Sequence, residues 1–281
     1  MKLYIINMND THAVILCDED VEDDEIDLLI QQKIEENKSK IKITDTVKGR
    51  KKKTEMVPLM WFYDLNPDII EIGVDEAGRG PMFGRVYASA VVLPKSDCFD
   101  HSQMKDSKKF HSKKKIEEVA EYIKQNSIAW STQYESEDTI DEINILQATQ
   151  SAMHKSIREV IKQLKQKGLF NHSNTLLLID GNYFKEMYYL TDNKTKAEYL
   201  NYKTIEGGDN KYTGIAAASI LSKVARDIYI EDLCKENPDL IEKYGIDSNK
   251  GYGSKKHMEG IKIHGITKWH RKTFGICKSY C

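Results

Sequence analysis

Several common protein classes are argued against by what this sequence lacks. Its five cysteines, Cys17, Cys98, Cys234, Cys277 and Cys281, are scattered and odd in number, and no CxxC pair occurs. That speaks against a zinc ribbon or a disulfide framework and fits a reducing compartment, with the pair in "CKSYC" left as a minor metal candidate. No apolar run approaches the roughly 20 residues of a membrane span. The opening "MKLYIINMND" lacks the apolar core of a signal peptide, so a soluble, cytoplasmic chain is expected, with a nuclear address left open. There is no internal repeat, no low-complexity segment and almost no net charge, the formal value being -2.

The near-neutral total hides an uneven distribution. "DEDVEDDEID" (18–27) holds eight acids in ten positions, whereas 250–281 carries eight Lys or Arg against the single acid Glu259. A basic C-terminal segment on a neutral protein points to a local anionic partner. With 281 residues, 40% of them hydrophobic, the chain can build one large domain and a small extra one.

Residues 1–65 read as that small α+β unit. "KLYIINM" and "HAVILC" are predicted strands, 20–37 a helix with acids in its first turns, "IKITDTV" a further strand, and "KGRKKKTE" (48–55) an exposed connector. The connector reads equally as solvated linker or nucleic-acid contact. From 66 to 281 the pattern becomes a mixed α/β domain. Strands are predicted at 70–74, 86–93, 127–134 and 175–179, and helices at 112–125, 138–166, 213–232 and 255–263. This order suits a mixed sheet with helices on its faces.

Acids punctuate the strand ends. In "IEIGVDEAGRGP" a β-branched run stops at Asp75 and Glu76, followed by Gly78, Arg79, Gly80 and Pro81. Side chains alternate along a strand, so two adjacent acids address one site only if the chain turns there, which the glycines permit. "TLLLID" ends at Asp180, at the strand mouth where ligands gather in α/β sheets. In the helix "YTGIAAASILSKVARDIYIEDL", Ser219, Lys223, Arg226 and Asp227 fall within one arc, opposite the stripe Ala217, Ile220, Leu221, Val224 and Ile228. Taken singly, each has a bland reading: an acidic turn, a turn former, a solvated face with a Lys223–Asp227 pair. Taken together, four carboxylates form an oxygen-only donor set suited to magnesium or manganese. Two such ions about 4 Å apart can activate water and stabilise the leaving oxygen of a phosphodiester. Lys223, Arg226 and the run Lys105–Lys115, which includes Lys108, would hold phosphates.

These residues also carry a resemblance. "DEAGRGP" (75–81), "DSKKF" (106–110), "IDGN" (179–182), "AAASILSKVARD" (216–227) and "GYGSKKH" (251–257) through "HRKTF" (270–274) resemble, in order and spacing, the motifs of ribonuclease HII, the type 2 ribonuclease H family. The resemblance spans about 68–275 and implies a ribonuclease H-like fold with a C-terminal helical extension. It implies metal-dependent hydrolysis of the RNA strand of RNA–DNA hybrids. It also implies cutting 5′ of ribonucleotides embedded in duplex DNA, leaving 3′-hydroxyl and 5′-phosphate ends. On this resemblance Asp75, Glu76, Asp180 and Asp227 are the metal-binding catalytic acids. Gly78, Arg79 and Gly80 match the segment that reads the 2′-hydroxyl, and Tyr252 the tyrosine stacked on the junction sugar. The related ribonuclease HIII has threonine or a similar residue in place of the arginine, so Arg79 favours HII. Phe110 and Ser254 depart from the usual leucine and threonine. Residues 1–65 have no counterpart in a minimal ribonuclease HII, and by analogy with HIII they are expected to bind substrate or a protein partner. A monomer is expected. A resolvase or integrase of the wider fold, or a non-catalytic subunit, is the rival reading; neither needs a 2′-hydroxyl reader beside four intact acids.

Overall fold

A computed structural model describes residues 2–8, 11–17, 58–96, 98–190 and 197–280. The predicted helix 20–37, strand "IKITDTV" and connector 48–55 lie outside the described residues. The chain divides into two units, 1–56 and 57–281. In the first, β1 (Lys2–Met8) pairs antiparallel with β2 (Thr11–Cys17), Met8 opposite Thr11. The division falls before 65: Met60 bridges Tyr212, and Trp61 stacks on His101 with ring centroids 4.5 Å apart, so 57–65 belongs to the larger unit.

The larger unit is built on a five-stranded mixed sheet. Its strands are β3 (Ile70–Ala77), β4 (Val86–Val92), β5 (Ala129–Glu135), β6 (Thr175–Asp180) and β9 (Asn201–Ile205), in the order β5-β4-β3-β6-β9. β7 (Tyr188–Leu190) and β8 (Ala197–Tyr199) pair antiparallel as a separate two-stranded sheet. β3, β4 and β5 run antiparallel as successive neighbours, while β6 and β9 lie parallel to β3. The four predicted strands are present; β9 was missed because "NYKTI" is polar and half-exposed, an edge strand without an apolar signal.

Helices α1 (Lys113–Asn126), α2 (Glu137–Gln166) and α3 (Thr213–Glu236) cover the sheet. α2 packs Ala152, Met153, Ile157, Val160 and Leu164 against Ile72, Val74, Ala88, Ala90 and Leu177 on one face. α3 and α1 fill the other face around Val91. α2 is broken at Asn144, where φ is 66°; the side chain there accepts the Gln147 N–H and starts the second segment. Beyond α3, the short helices α4 (Asp239–Tyr244) and α5 (Ile246–Asn249) and then α6 (Lys255–His264) build a third core on Phe83, Ile230 and Ile261. Among the described residues, no helix is long and apolar enough to cross a membrane.

Candidate active site

Parallel pairing of β3 with β6 sets the site. The register Val74↔Ile179 brings the ends of both strands, with Asp75, Glu76 and Asp180, to one edge of the sheet. Asp75 is only 4% exposed. Burial pushes its carboxyl well above the usual range, and the charges of Glu76 and Asp180 push the same way; the Ser219 hydroxyl and Glu76 amide oppose them. That amide donates to Asp75 Oδ1 at 2.7 Å. Burial also raises Asp180, against the Gly208 N–H donated to its Oδ1 at 2.7 Å. Three of the four predicted acids therefore act on one another electrostatically.

Helix α3 lies directly across this edge. The Ser222 hydroxyl lies 3.1 Å from the Asp75 carbonyl and 2.8 Å from Ser89 Oγ, its single proton shared between the two, while Ser219 reaches the Asp75 side chain. Lys223 pairs with Asp227 Oδ2, and Asp227 Oδ1 is buried without a hydrogen-bond partner. Two parts of the helical reading need correction. Arg226, expected to face phosphate, is 3% exposed and donates to the carbonyls of Phe83 (3.1 Å) and Lys250 (2.9 Å); it ties two loops together. Ile228, assigned to the apolar stripe, is 43% exposed, because the third core displaces the contact face toward Ile230 and Leu233.

The Gly-Arg-Gly turn leaves β3 at Gly78, where φ is 96° and an added Cβ would lie 2.4 Å from Arg226 Nε. Only glycine fits both constraints. Arg79 is exposed, its guanidinium 3.1 Å from Glu76 Oε1. A Cβ on Gly80 would stand 3.3 Å from Tyr252 Cε1, so the turn and the half-exposed tyrosine are neighbours. Lys108 reaches toward the acids: burial lowers its ammonium, but Asp209, Asp106, Asp75 and Asp180 reverse this and leave it raised.

Two contributors escaped sequence reasoning. Asp209 is buried beside Asp180, its carboxyl raised by burial and by Asp106 and Asp180, with Lys108 Nζ 3.8 Å away. The signal was "GGD", an acid in a glycine turn (Gly208–Asn210) just ahead of α3. Arg271, fully buried, donates to the carbonyls of Gly78 (2.6 Å), Arg79 (3.1 Å), Pro81 (2.7 Å) and Gly84 (2.8 Å), bracing the whole turn. It stands in the quoted "HRKTF", where nothing in the local pattern says which way it points.

Among the described residues, no three His, Cys, Asp or Glu side chains form a closed metal shell. The donor chemistry nevertheless fits a hard divalent cation. Buried carboxylates repelling one another, with an orphaned oxygen on Asp227, are costly unless positive charge offsets them.

The larger unit has relatives among known proteins. The family model for ribonuclease HII matches residues 72–277. The ribonuclease HII of Phocaeicola vulgatus is 42% identical over 214 residues, 75% of this chain and 92% of that protein. Among solved structures, a chain of the PCNA:RNase HII complex from Archaeoglobus fulgidus superposes with a TM-score of 0.54 at 23% identity, covering 74% of this chain and 96% of that one. Bst-RNase HIII in complex with Mn2+ gives a TM-score of 0.51 at 14% identity, covering 81% and 80%. The fold is thus the α/β ribonuclease H-like fold.

Proposed function

The chain belongs to the ribonuclease HII family, endoribonucleases that cleave the RNA of RNA–DNA hybrids and ribonucleotides embedded in DNA, and we propose that its chemistry is carried by Asp75, Glu76, Asp180 and Asp227. The observation that carries this reading is the buried Asp75 carboxyl, pressed by the charges of Glu76 and Asp180 at the ends of two parallel strands. These carboxylates would hold Mg2+ or Mn2+; divalent ions, when bound, supply the activation of water and the charge that stabilises the leaving oxygen. Glu76 also orients Arg79 through its ion pair.

Substrate reading falls to the neighbouring turn and tyrosine. A protein separates RNA from DNA chiefly by the 2′-hydroxyl, which donates and accepts hydrogen bonds. With the Gly78 and Arg79 carbonyls held by Arg271, the turn's backbone N–H groups are left to meet that hydroxyl, and Arg79 presents its charge to the adjoining phosphate. Tyr252, beside Gly80, lies where it can pack on the next sugar, which a 2′-oxygen would crowd. Lys108 and Lys223 border the same acids and serve phosphate binding, while the buried Ser219 hydroxyl orients Asp75 rather than meeting phosphate. Cleavage 5′ of the ribonucleotide, leaving 3′-hydroxyl and 5′-phosphate ends, is the expected product. Residues 1–56 are proposed to contact substrate or a protein partner, with the rest of the chain as the catalytic domain.

The test is cleavage of a duplex carrying one ribonucleotide, beside an all-DNA control, with Mg2+ or Mn2+ supplied. Wild type is expected to cut only the first. Asp180→Asn is expected to fold normally and lose about a thousandfold in kcat, the scale of one preorganised electrostatic group. Cutting of the all-DNA duplex, or wild-type rates in the variant, would overturn the reading.

A further inference from the structure

The loop that carries Tyr252 has no regular structure to hold it. Lys250 and Gly251 are consecutive left-handed residues, with φ of 50° and 84°. For a lysine that conformation is uncommon, and it persists only where neighbours enforce it. The loop is held at successive carbonyls: Lys250 by Arg226, Gly251 by the Met82 N–H at 2.9 Å, and Tyr252 by the Ser254 N–H at 2.8 Å and His257 Nδ1 at 2.9 Å.

The last of these contacts ends a chain of buried imidazoles whose proton positions follow from the backbone. The Thr267 N–H can only donate, and it points at His270 Nδ1 from 2.9 Å. His270 therefore carries its proton on Nε2, 3.0 Å from His257 Nε2. His257 must accept there, so its own proton sits on Nδ1 and is donated to the Tyr252 carbonyl. Both rings are buried to within 1%, with the Phe83 and Tyr244 rings packed 5.0 and 5.1 Å from His270. Burial lowers both, His270 to about 3, so both stay neutral. A proton on either acceptor would set two N–H groups against each other.

We propose that His257 and His270 are positioning residues that fix the Tyr252 loop, and with it the reading of the ribose–deoxyribose junction, through this directed relay. The next residue, Arg271, braces the Gly-Arg-Gly turn, so two consecutive residues hold the two halves of the junction reader. The proposal rests on the Tyr252 reading above, and the test keeps the two apart.

In the full chain, His270→Phe is compared with His270→Gln, whose amide can again donate to His257 Nε2. Hydrogen exchange at amides 250–254 is expected to quicken in the Phe variant and stay near wild type in the Gln variant. On a duplex with one ribonucleotide, relative to a long hybrid, the Phe variant is expected to lose about tenfold in kcat/KM, the worth of one hydrogen bond. That relative loss is expected to vanish in a Tyr252→Ala background. Unchanged exchange in the Phe variant overturns the proposal, as does a relative loss that persists without Tyr252. If Tyr252→Ala alone leaves the substrate ratio intact while exchange still quickens, Tyr252 is not the junction reader, though the relay still orders the loop. Should His270→Phe fail to fold, nitrogen chemical shifts of the wild-type imidazoles decide: Nδ1–H on His257 and Nε2–H on His270 are expected, and the reverse tautomers overturn it.

Discussion

Gly73 in β3 and Gly214 in α3 meet backbone to backbone: a Cβ on Gly73 would lie 2.2 Å from the Gly214 carbonyl carbon. This contact seats α3 on the strand that ends in Asp75, and it lets Ser219 and Ser222 reach that residue five and eight positions along the helix. Gly73→Ala has no flexible side chain to displace, so the helix itself must lift. The expected cost is about 3 kcal/mol of stability, at the upper range for overpacking, with a loss of cleavage as Ser219 draws away from Asp75. Denaturant unfolding and a cleavage assay measure both. Wild-type stability would show that α3 does not rest there.

The core elements and the acids at their ends were legible because each wrote a local pattern: β-branched runs that stop at Asp75 and Asp180, and a helix period through Ala217, Ile220 and Leu221. What stayed hidden was set by distant packing. Arg226 shares a helical arc with Lys223 and Asp227, and spacing alone could not show that the 250–252 loop folds over it. Asp209 and Arg271 act through partners far away in sequence, and His257 and His270 meet across 13 positions of chain, so their roles leave no periodic trace. The domain boundary moved for the same reason, since Trp61 finds its partner in His101.

Arg79 is exposed, and among the described residues its side chain pairs with Glu76. An exposed pair of this kind contributes about 0–1 kcal/mol, so Arg79→Ala is expected to leave the melting temperature nearly unchanged. Cleavage at a single embedded ribonucleotide should fall about tenfold more than cleavage of a long hybrid, because a long hybrid offers many registers and a lone ribonucleotide one. Equal losses on both substrates would remove Arg79 from junction reading.

Truncation separates the small unit from the segment that follows it. Deleting 1–56 removes residues outside the larger unit, and the remaining chain is expected to melt as the full protein does. Deleting 1–65 also removes Trp61 from its stack on His101, and the Tyr63 and Asp64 N–H groups, which donate to Glu71 at 3.0 and 2.6 Å. That truncation is expected to cost about 2 kcal/mol or more, from lost aromatic contact and a buried carboxylate left short of donors. Substrate affinity of the shorter deletion then reports whether 1–56 touches nucleic acid: unchanged affinity removes that role.

Asp75→Asn isolates the electrostatic strain at the centre of the site. The folded protein holds the Asp75 carboxyl above its unfolded value, so between the two values the native state binds the proton that the unfolded chain has released. Stability without metal is therefore greatest below the unfolded pKa, about 3.9, and falls as pH rises toward the raised folded value, beyond which the full penalty remains. Asparagine keeps the oxygen that accepts the Glu76 N–H and carries no charge, so the variant escapes that penalty. At neutral pH without divalent ions it is expected to melt several degrees above wild type, and the gap should close on acidification. Added Mg2+ should raise the wild-type melting temperature and narrow the gap from the other side, while cleavage by the variant stays lost. Calorimetry across pH, with and without Mg2+, measures the melting effects, and a cleavage assay the loss of activity. A gap that ignores both pH and Mg2+ would mean that the charge on Asp75 is not what the metal offsets.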